Sequence, residues 1–128
     1  MNIIGGFLEL ELGSSGNSYH KTALSFSTGR SCLNFILKQI KPKVIHIPYY
    51  TCDAIFSSIK KNNIEFKYYS MNEDFKPERI KLKNDEYILY INYFGIKIDI
   101  IKSLIDKYGS KIIVDNSQGF FEKGYEGI

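Results

Sequence analysis

Residues 87–93, Tyr-Ile-Leu-Tyr-Ile-Asn-Tyr, form a nearly unbroken apolar run. A strand with one wet face alternates apolar and polar residues, whereas a run without alternation needs cover on both faces, the pattern of strands in parallel sheets. Downstream, Ile100, Ile101, Leu104, Ile105 and Tyr108 recur at i, i+1, i+4, i+5 and i+8 between Asp99 and Gly109, the spacing of one helix face with a glycine stop. A further strand follows over Lys111-Ile112-Ile113-Val114. Strands that alternate with helices and are covered on both faces predict βαβ units, hence an α/β fold on a parallel sheet with right-handed crossovers.

The first half of the chain continues the alternation. Leu33, Phe35, Ile36, Leu37 and Ile40 predict a helix over about 30–40 that Pro42 closes. Val44–Ile47 reads as a short strand ending at Pro48, after which Thr51 or Asp53 caps a helix with Ala54, Ile55 and Ile59 on its inner side, ended by Asn62-Asn63. Residues 64–69 alternate like a half-exposed strand, and 71–85, with Pro77, form a polar connection. Residues 1–22 read as an N-terminal arm with a short strand in Phe7-Leu8-Glu9-Leu10-Glu11-Leu12. At 128 residues, 44% of them hydrophobic, the chain can bury one core, and neither a repeat nor a linker divides it.

Charge and composition exclude several classes. The net charge of +3 is dispersed, with Lys60-Lys61 and Lys81 to Lys83 as short interrupted clusters, so the basic stripe of a nucleic-acid binder is missing. No apolar run approaches the roughly 20 residues that span a bilayer, and the start lacks the pattern of a secretion signal. A cytoplasmic protein without nucleic-acid or membrane partners is expected. Cys32 and Cys52 match no metal-ligand spacing and no disulfide framework, which reads as two free thiols.

Ligands of open parallel sheets bind beyond the carboxyl ends of the strands, so polar residues there carry the functional signal. Ser27-Thr28-Gly29-Arg30-Ser31 reads as a strand-to-helix turn: free N–H groups and the helix dipole favour an anion such as phosphate, Gly29 permits close approach, and Arg30 or Ser31 adds donors. An ordinary capped turn is the other reading. Pro48-Tyr49-Tyr50-Thr51-Cys52-Asp53 brings aromatics that suit a planar ligand, and Cys52 is either a nucleophile or a small turn residue. Neither His20 nor His46 is spaced to serve it as a base; they read as a loop residue and a strand side chain. Asn92, before Tyr93-Phe94-Gly95, is either a ligand donor or a satisfied turn asparagine. Asp115 with Gln118 is either a helix cap of the Asp-x-x-Gln kind or a carboxylate that holds a pyridinium nitrogen protonated, as a pyridoxal phosphate site requires.

Taken in order, Gly5-Gly6-Phe7-Leu8-Glu9-Leu10, Thr28-Gly29-Arg30-Ser31-Cys32-Leu33, Ile47-Pro48-Tyr49-Tyr50-Thr51-Cys52, Tyr93-Phe94-Gly95 and Val114-Asp115-Asn116-Ser117-Gln118 resemble the DegT-like (DegT/StrS-type) aminotransferases. These are pyridoxal-phosphate enzymes of the aspartate-aminotransferase architecture (fold type I) that act mostly on nucleotide-linked keto-sugars. The resemblance covers nearly the whole chain as the family's N-terminal third. It implies that Arg30 and Ser31 occupy the phosphate-cup pair, that Asp115 pairs with the ring nitrogen, and that Gln118 lies beside the ring's phenolic oxygen. Arg30 departs from the small or hydroxyl-bearing residues usual there. Cys52 stands where the family places an aromatic that stacks on the ring, a role left to Tyr49 or Tyr50.

The resemblance also implies a lysine, bonded to the cofactor, further beyond Asp115 than the thirteen residues that follow it; Lys123 is too close. The expectation is therefore a cofactor-binding portion, residues 1–128, of the major domain of a truncated or incompletely encoded aminotransferase. It would lack the lysine and be inactive alone. The complete enzyme would be a homodimer using pyridoxal 5'-phosphate, an amino donor and a keto-sugar nucleotide, in polysaccharide or glycoconjugate synthesis. A small α/β module that holds a phosphate-bearing ligand without catalysis is the alternative, and a subunit completed by a second chain is a third.

Overall fold

The computed structural model describes His20, residues 22–119 and Phe121. The expected arm over residues 1–22 lies outside this set apart from His20 and Thr22. Helix α1, Gly29–Ile40, starts at Thr28, whose hydroxyl oxygen accepts from the Ser31 N–H at 3.1 Å. It stops at Lys41, which turns left-handed (φ 45°) ahead of Pro42, as the proline predicts. Leu33 and Leu37, four residues apart, are its buried pair. No strand precedes it among the described residues: residues 24–26 are coil and Leu24 is 70% exposed, so the turn predicted as strand-to-helix is coil-to-helix.

Strand β1, Val44–Pro48, is buried at all five positions. Helix α2, Ala54–Lys61, buries Ile55 and Ile59, and ends at Asn62 with Asn63 left-handed. Asp53 sits at its N-cap without a side-chain hydrogen bond, and the Thr51 hydroxyl has no partner among the described residues, so neither expected cap forms. The nearest substitute is Cys52 Sγ, which accepts from the Ala54 N–H at 3.3 Å. Strand β2 spans Glu65–Tyr69 and β3 Glu86–Ile91. Asn92 leaves the apolar run, and Tyr93–Gly95 forms a 3₁₀ turn. Helix α3, Ile98–Tyr108, buries Ile100, Ile101 and Leu104 and stops at Gly109, where φ is +56°. Asp99 falls inside its first turn rather than ahead of it. Strand β4, Ile112–Asp115, follows.

The four strands are all parallel, in the order β2-β1-β3-β4. Alternation along each strand feeds two cores. Ile45, Ile47, Leu89 and Ile113 pack against Leu33, Leu37, Ile55 and Ile59 of α1 and α2. Ile88, Tyr90 and Ile112 point the other way, onto Ile100, Ile101 and Leu104 of α3. Fully burying one such Leu or Ile contributes about 1.5–3 kcal/mol, so either helix layer is firmly held. The β1-to-β2 and β3-to-β4 crossovers run in opposite directions on opposite faces, which gives both the same hand. The chain thus changes direction between β1 and β3, the place where open α/β sheets form ligand crevices.

The polar 71–85 connection is tied down by buried Ile80 and by two tyrosines: Tyr90 donates its hydroxyl to the Phe75 carbonyl (3.2 Å) and Tyr108 to the Ile80 carbonyl (3.3 Å). At the amino end of the sheet, buried Glu86 takes the Lys83 N–H (3.1 Å), His46 Nε2 (3.0 Å) and Lys67 Nζ (3.1 Å). That backbone N–H, then the His46 contact and then Lys67, hold its carboxyl down at about 2, below the ordinary 4.5. A depressed carboxylate stabilises the fold fully above 4.5 and loses that contribution as pH falls toward 2. Glu86→Gln is expected to melt lower than wild type at pH 7 and to lose less stability between pH 4.5 and 2, read by circular-dichroism melts across that range.

Candidate functional site

At the carboxyl ends of the strands a cleft of about 900 Å³ opens between the start of α1, the segment after β1 and the segment after β4. Leu33, Leu89, Ile91 and Ile113 contribute its apolar lining. Thr28, Gly29 and Arg30 supply the α1 rim, Tyr50, Thr51 and Cys52 a second wall, and Asp115 to Gln118 a third. Five of the six residues singled out from the sequence, Gly29, Arg30, Cys52, Asp115 and Gln118, therefore meet at one place. The sixth, Ser31, is not among the lining residues: its hydroxyl lies 3.0 Å from the Thr28 hydroxyl, part of the cap rather than of the cleft. Thr28 takes its place, a residue that its position before Gly29 marks as a helix cap.

The α1 rim is built for an anion. The first N–H groups of a helix lack intrahelical partners, and the dipole adds a partial positive charge. A Cβ on Gly29 would meet only the Ser117 hydroxyl, at 3.9 Å, so nothing in the fold requires glycine there and the space before it is open. Arg30 lines the same rim.

Asp115, at the end of β4, lines the cleft as well. Its Oδ1 accepts from the Ser117 N–H at 3.0 Å and the Ser117 hydroxyl at 2.6 Å, while Oδ2 makes no hydrogen bond among the described residues. Residues 116–118 form a turn rather than a helix. Gln118 does not reach back as a capping box would; its Oε1 accepts from the Phe94 N–H at 2.6 Å. Cys32 also lines the cleft, and burial followed by the Asp115 charge pushes its thiol up, which keeps it protonated. His46 is taken by Glu86, so a Cys52–His46 pair does not form.

Two glycines and a buried amide lock the exits of β3 and β4 together. Asn92, fully buried, donates its N–H to the Asp115 carbonyl (2.9 Å) and its Nδ2 to Asn116 Oδ1 (2.6 Å), and accepts the Lys97 N–H on Oδ1 (3.1 Å). Of the two readings of Asn92, the satisfied turn residue is the one observed. A Cβ on Gly119 would lie 2.6 Å from both Asn116 Oδ1 and Asn92 Nδ2, and one on Gly95, at φ +69°, would lie 2.6 Å from the Gln118 carbonyl oxygen. Phe94 is held left-handed (φ 60°) beside it, a strained setting for a side-chain-bearing residue.

Asp115 carboxylate, helix start and aromatic wall together form a donor and acceptor set that fits pyridoxal phosphate. No lysine lines the cleft among the described residues. Gly95→Ala, which forces both a strained φ and a backbone clash, is expected to cost about 2 kcal/mol or more, read as a fall in the midpoint of urea unfolding at unchanged slope.

No protein-family model matches the chain, and neither does any curated protein. Among solved structures it superposes on a candidate aminotransferase from Burkholderia pseudomallei with a TM-score of 0.51 and 11% identity, covering 67% of this chain and 29% of the other. It also superposes on the sugar aminotransferase CalS13 from Micromonospora echinospora with a TM-score of 0.56 and 12% identity, covering 72% of this chain and 30% of that one. The chain thus spans under a third of the length of either structure. At such identities the likeness establishes architecture: this is a partial parallel α/β sheet of the kind seen in those aminotransferase structures.

Proposed function

We propose that this chain forms the amino-terminal portion of the cofactor face of a pyridoxal-phosphate-dependent aminotransferase, one of the DegT-like kind that aminates a nucleotide-linked keto-sugar. The observation that carries this reading is the polarity of a single cleft, with a helix N-terminus and Arg30 on one rim and the Asp115 carboxylate on another. One ligand with a phosphate at one end and a protonated ring nitrogen at the other satisfies both.

In this reading the α1 N–H groups, with Arg30, hold the phosphate, and the open space before Gly29 lets it approach the backbone. Asp115 keeps a proton on the ring nitrogen through Oδ2 while Ser117 fixes its other oxygen. Bound pyridoxal phosphate supplies the electron sink that makes a substrate's Cα–H acidic. Gln118, anchored by the Phe94 N–H, would stand beside the ring's phenolic oxygen. The lysine that bonds to the cofactor, the partner protomer of a homodimer and the sugar-nucleotide pocket are contributed by residues other than these 128.

A second reading, a phosphate-ligand module without catalysis, is favoured by the absence of a lysine from the lining among the described residues. Both readings require binding, and binding is measured first. Equilibrium dialysis with pyridoxamine phosphate is expected to show saturable binding to the 128-residue chain. Asp115→Ala should weaken it by about ten-fold or more, the scale of one lost charge-assisted hydrogen bond. Equal binding by the variant would remove Asp115 from the site and the proposal with it. The chain alone is expected to show no transamination between an amino donor and a keto acceptor, and steady turnover would refute the placement of the lysine elsewhere.

A further inference from the structure

Charge that is dispersed along the sequence is concentrated by the fold. All four parallel strands are entered at the end of the sheet opposite the cleft, and all three α-helices finish there. The last helical turns bring Lys38, Lys60, Lys61 and Lys107, as the negative end of a helix dipole favours. The segments that enter β1, β3 and β4 add Lys41, Lys43, Lys81, Lys83 and Lys111. Of these, Lys43, Lys81 and Lys83 lie outside any helix, so helix dipoles do not account for them. These nine lysines meet three exposed carboxylates, Glu65, Asp85 and Asp106, while buried Glu86 is matched by Lys67. Nine against three leaves +6 at this end, and because the whole chain is +3 the remainder of the sequence sums to −3.

The strand-entry lysines are adjacent in space. The Lys43 N–H donates to the Asp85 carbonyl at 2.9 Å, which seats the start of β1 beside the segment that enters β3, and Lys43 Nζ pairs with the Asp85 carboxylate at 2.8 Å. Lys111 Nζ donates to the Lys83 carbonyl at 3.1 Å, which ties in the start of β4 without neutralising a charge. Lys43 and Lys83 line one hollow together with Asn84. Among the described residues, no large exposed apolar side chain belongs to these strand-entry segments.

We propose that the amino end of the sheet is a docking surface for an anionic lipid bilayer, held by attraction between these lysines and headgroup phosphates. A specific protein partner calls for apolar or aromatic anchors, and reading bases calls for arginine forks and stacking rings, none of which this surface presents. Its cations are all lysines, and they spread in two dimensions: about 15 Å across four strands, with about 10 Å more for the helix layer on either side. A nucleic-acid strand tracks a narrow path, whereas a plane of phosphates engages the whole spread. About four to eight basic residues gathered in this way bind an anionic leaflet. No described helix is long and apolar enough to cross a membrane, so the attachment is peripheral. The cleft opens at the opposite end and stays on the aqueous side, whatever ligand it takes.

Flotation of the 128-residue chain with vesicles tests this directly. Phosphatidylcholine vesicles containing about one-third phosphatidylserine are expected to carry the chain at about 0.1 M salt and to release it at about 1 M, where screening acts within about 3 Å. Pure phosphatidylcholine vesicles are expected to leave it behind. Lys81→Glu with Lys83→Glu should weaken partitioning about ten-fold or more, and Lys60→Gln with Lys61→Gln, at the end of α2, about five-fold. Lys76→Glu with Lys102→Glu makes the same charge change away from this end and should stay within about two-fold of wild type. Circular-dichroism melts verify that each variant is folded, and because the two test pairs lie on different elements, one that fails to fold leaves the other to decide.

Absence of binding to the anionic vesicles, equal binding to phosphatidylcholine alone, or an equal loss in the Lys76→Glu, Lys102→Glu control overturns the docking surface. Tighter binding in the same salt to a DNA duplex or to polyglutamate than to the vesicles overturns the bilayer as its partner.

Discussion

The buried amide of Asn92 is the contact on which the site depends. Burying an amide is costly unless its groups are paired. Here the side chain pairs with Asn116 at β4's exit and with the N–H of Lys97, the cap position of α3, while the Asn92 main-chain N–H bonds the Asp115 carbonyl. One side chain therefore registers the two strand ends whose loops make a wall of the cleft and starts the helix that covers the opposite core. Gly95 and Gly119 follow from the same contact, since the loops approach too closely there for any Cβ.

The two ends of the sheet use polar groups differently. At the amino end Glu86, His46, Lys67 and the Lys83 N–H satisfy one another, and that cluster supports the fold. At the carboxyl end groups are left with unused capacity among the described residues: Asp115 Oδ2 and the Gly29 and Arg30 N–H groups at the start of α1, whose Ser31 N–H is already taken by Thr28. Unused hydrogen-bonding capacity around a cleft with an apolar floor is what a polar ligand with a flat ring can complete. The contrast separates structural polar residues from candidate binding residues more sharply than residue type does, because histidine, glutamate and lysine here are all structural.

Much of the architecture was legible in the residue pattern. Unbroken apolar runs marked β3 and β4, the i, i+4 spacings marked α1, α2 and α3, and Pro42 and Gly109 marked two helix ends. Five of the six residues named from the sequence line one cleft, because strand ends and helix starts converge there. Ser31 stands outside the cleft lining because a hydroxyl at the third helical position can serve either a ligand or the cap, and Thr28 is close enough to claim it. The cap on α2 was misread because Thr51 and Asp53 both look suitable, and backbone orientation, invisible in sequence, denies each of them the bond. Tyr93 was seen as part of a strand, with no local signal of its contact to Tyr50 across 43 residues.

Local order along the chain was enough to specify the elements, their parallel pairing and the chemistry available at each strand end, since periodicity and turn chemistry act over a few residues. Which tyrosine faces the cleft and which asparagine is structural were settled by packing. These outcomes depend on close approaches between segments 24 to 43 residues apart, where side-chain contacts and hydrogen-bond competition decide what each group has left to offer.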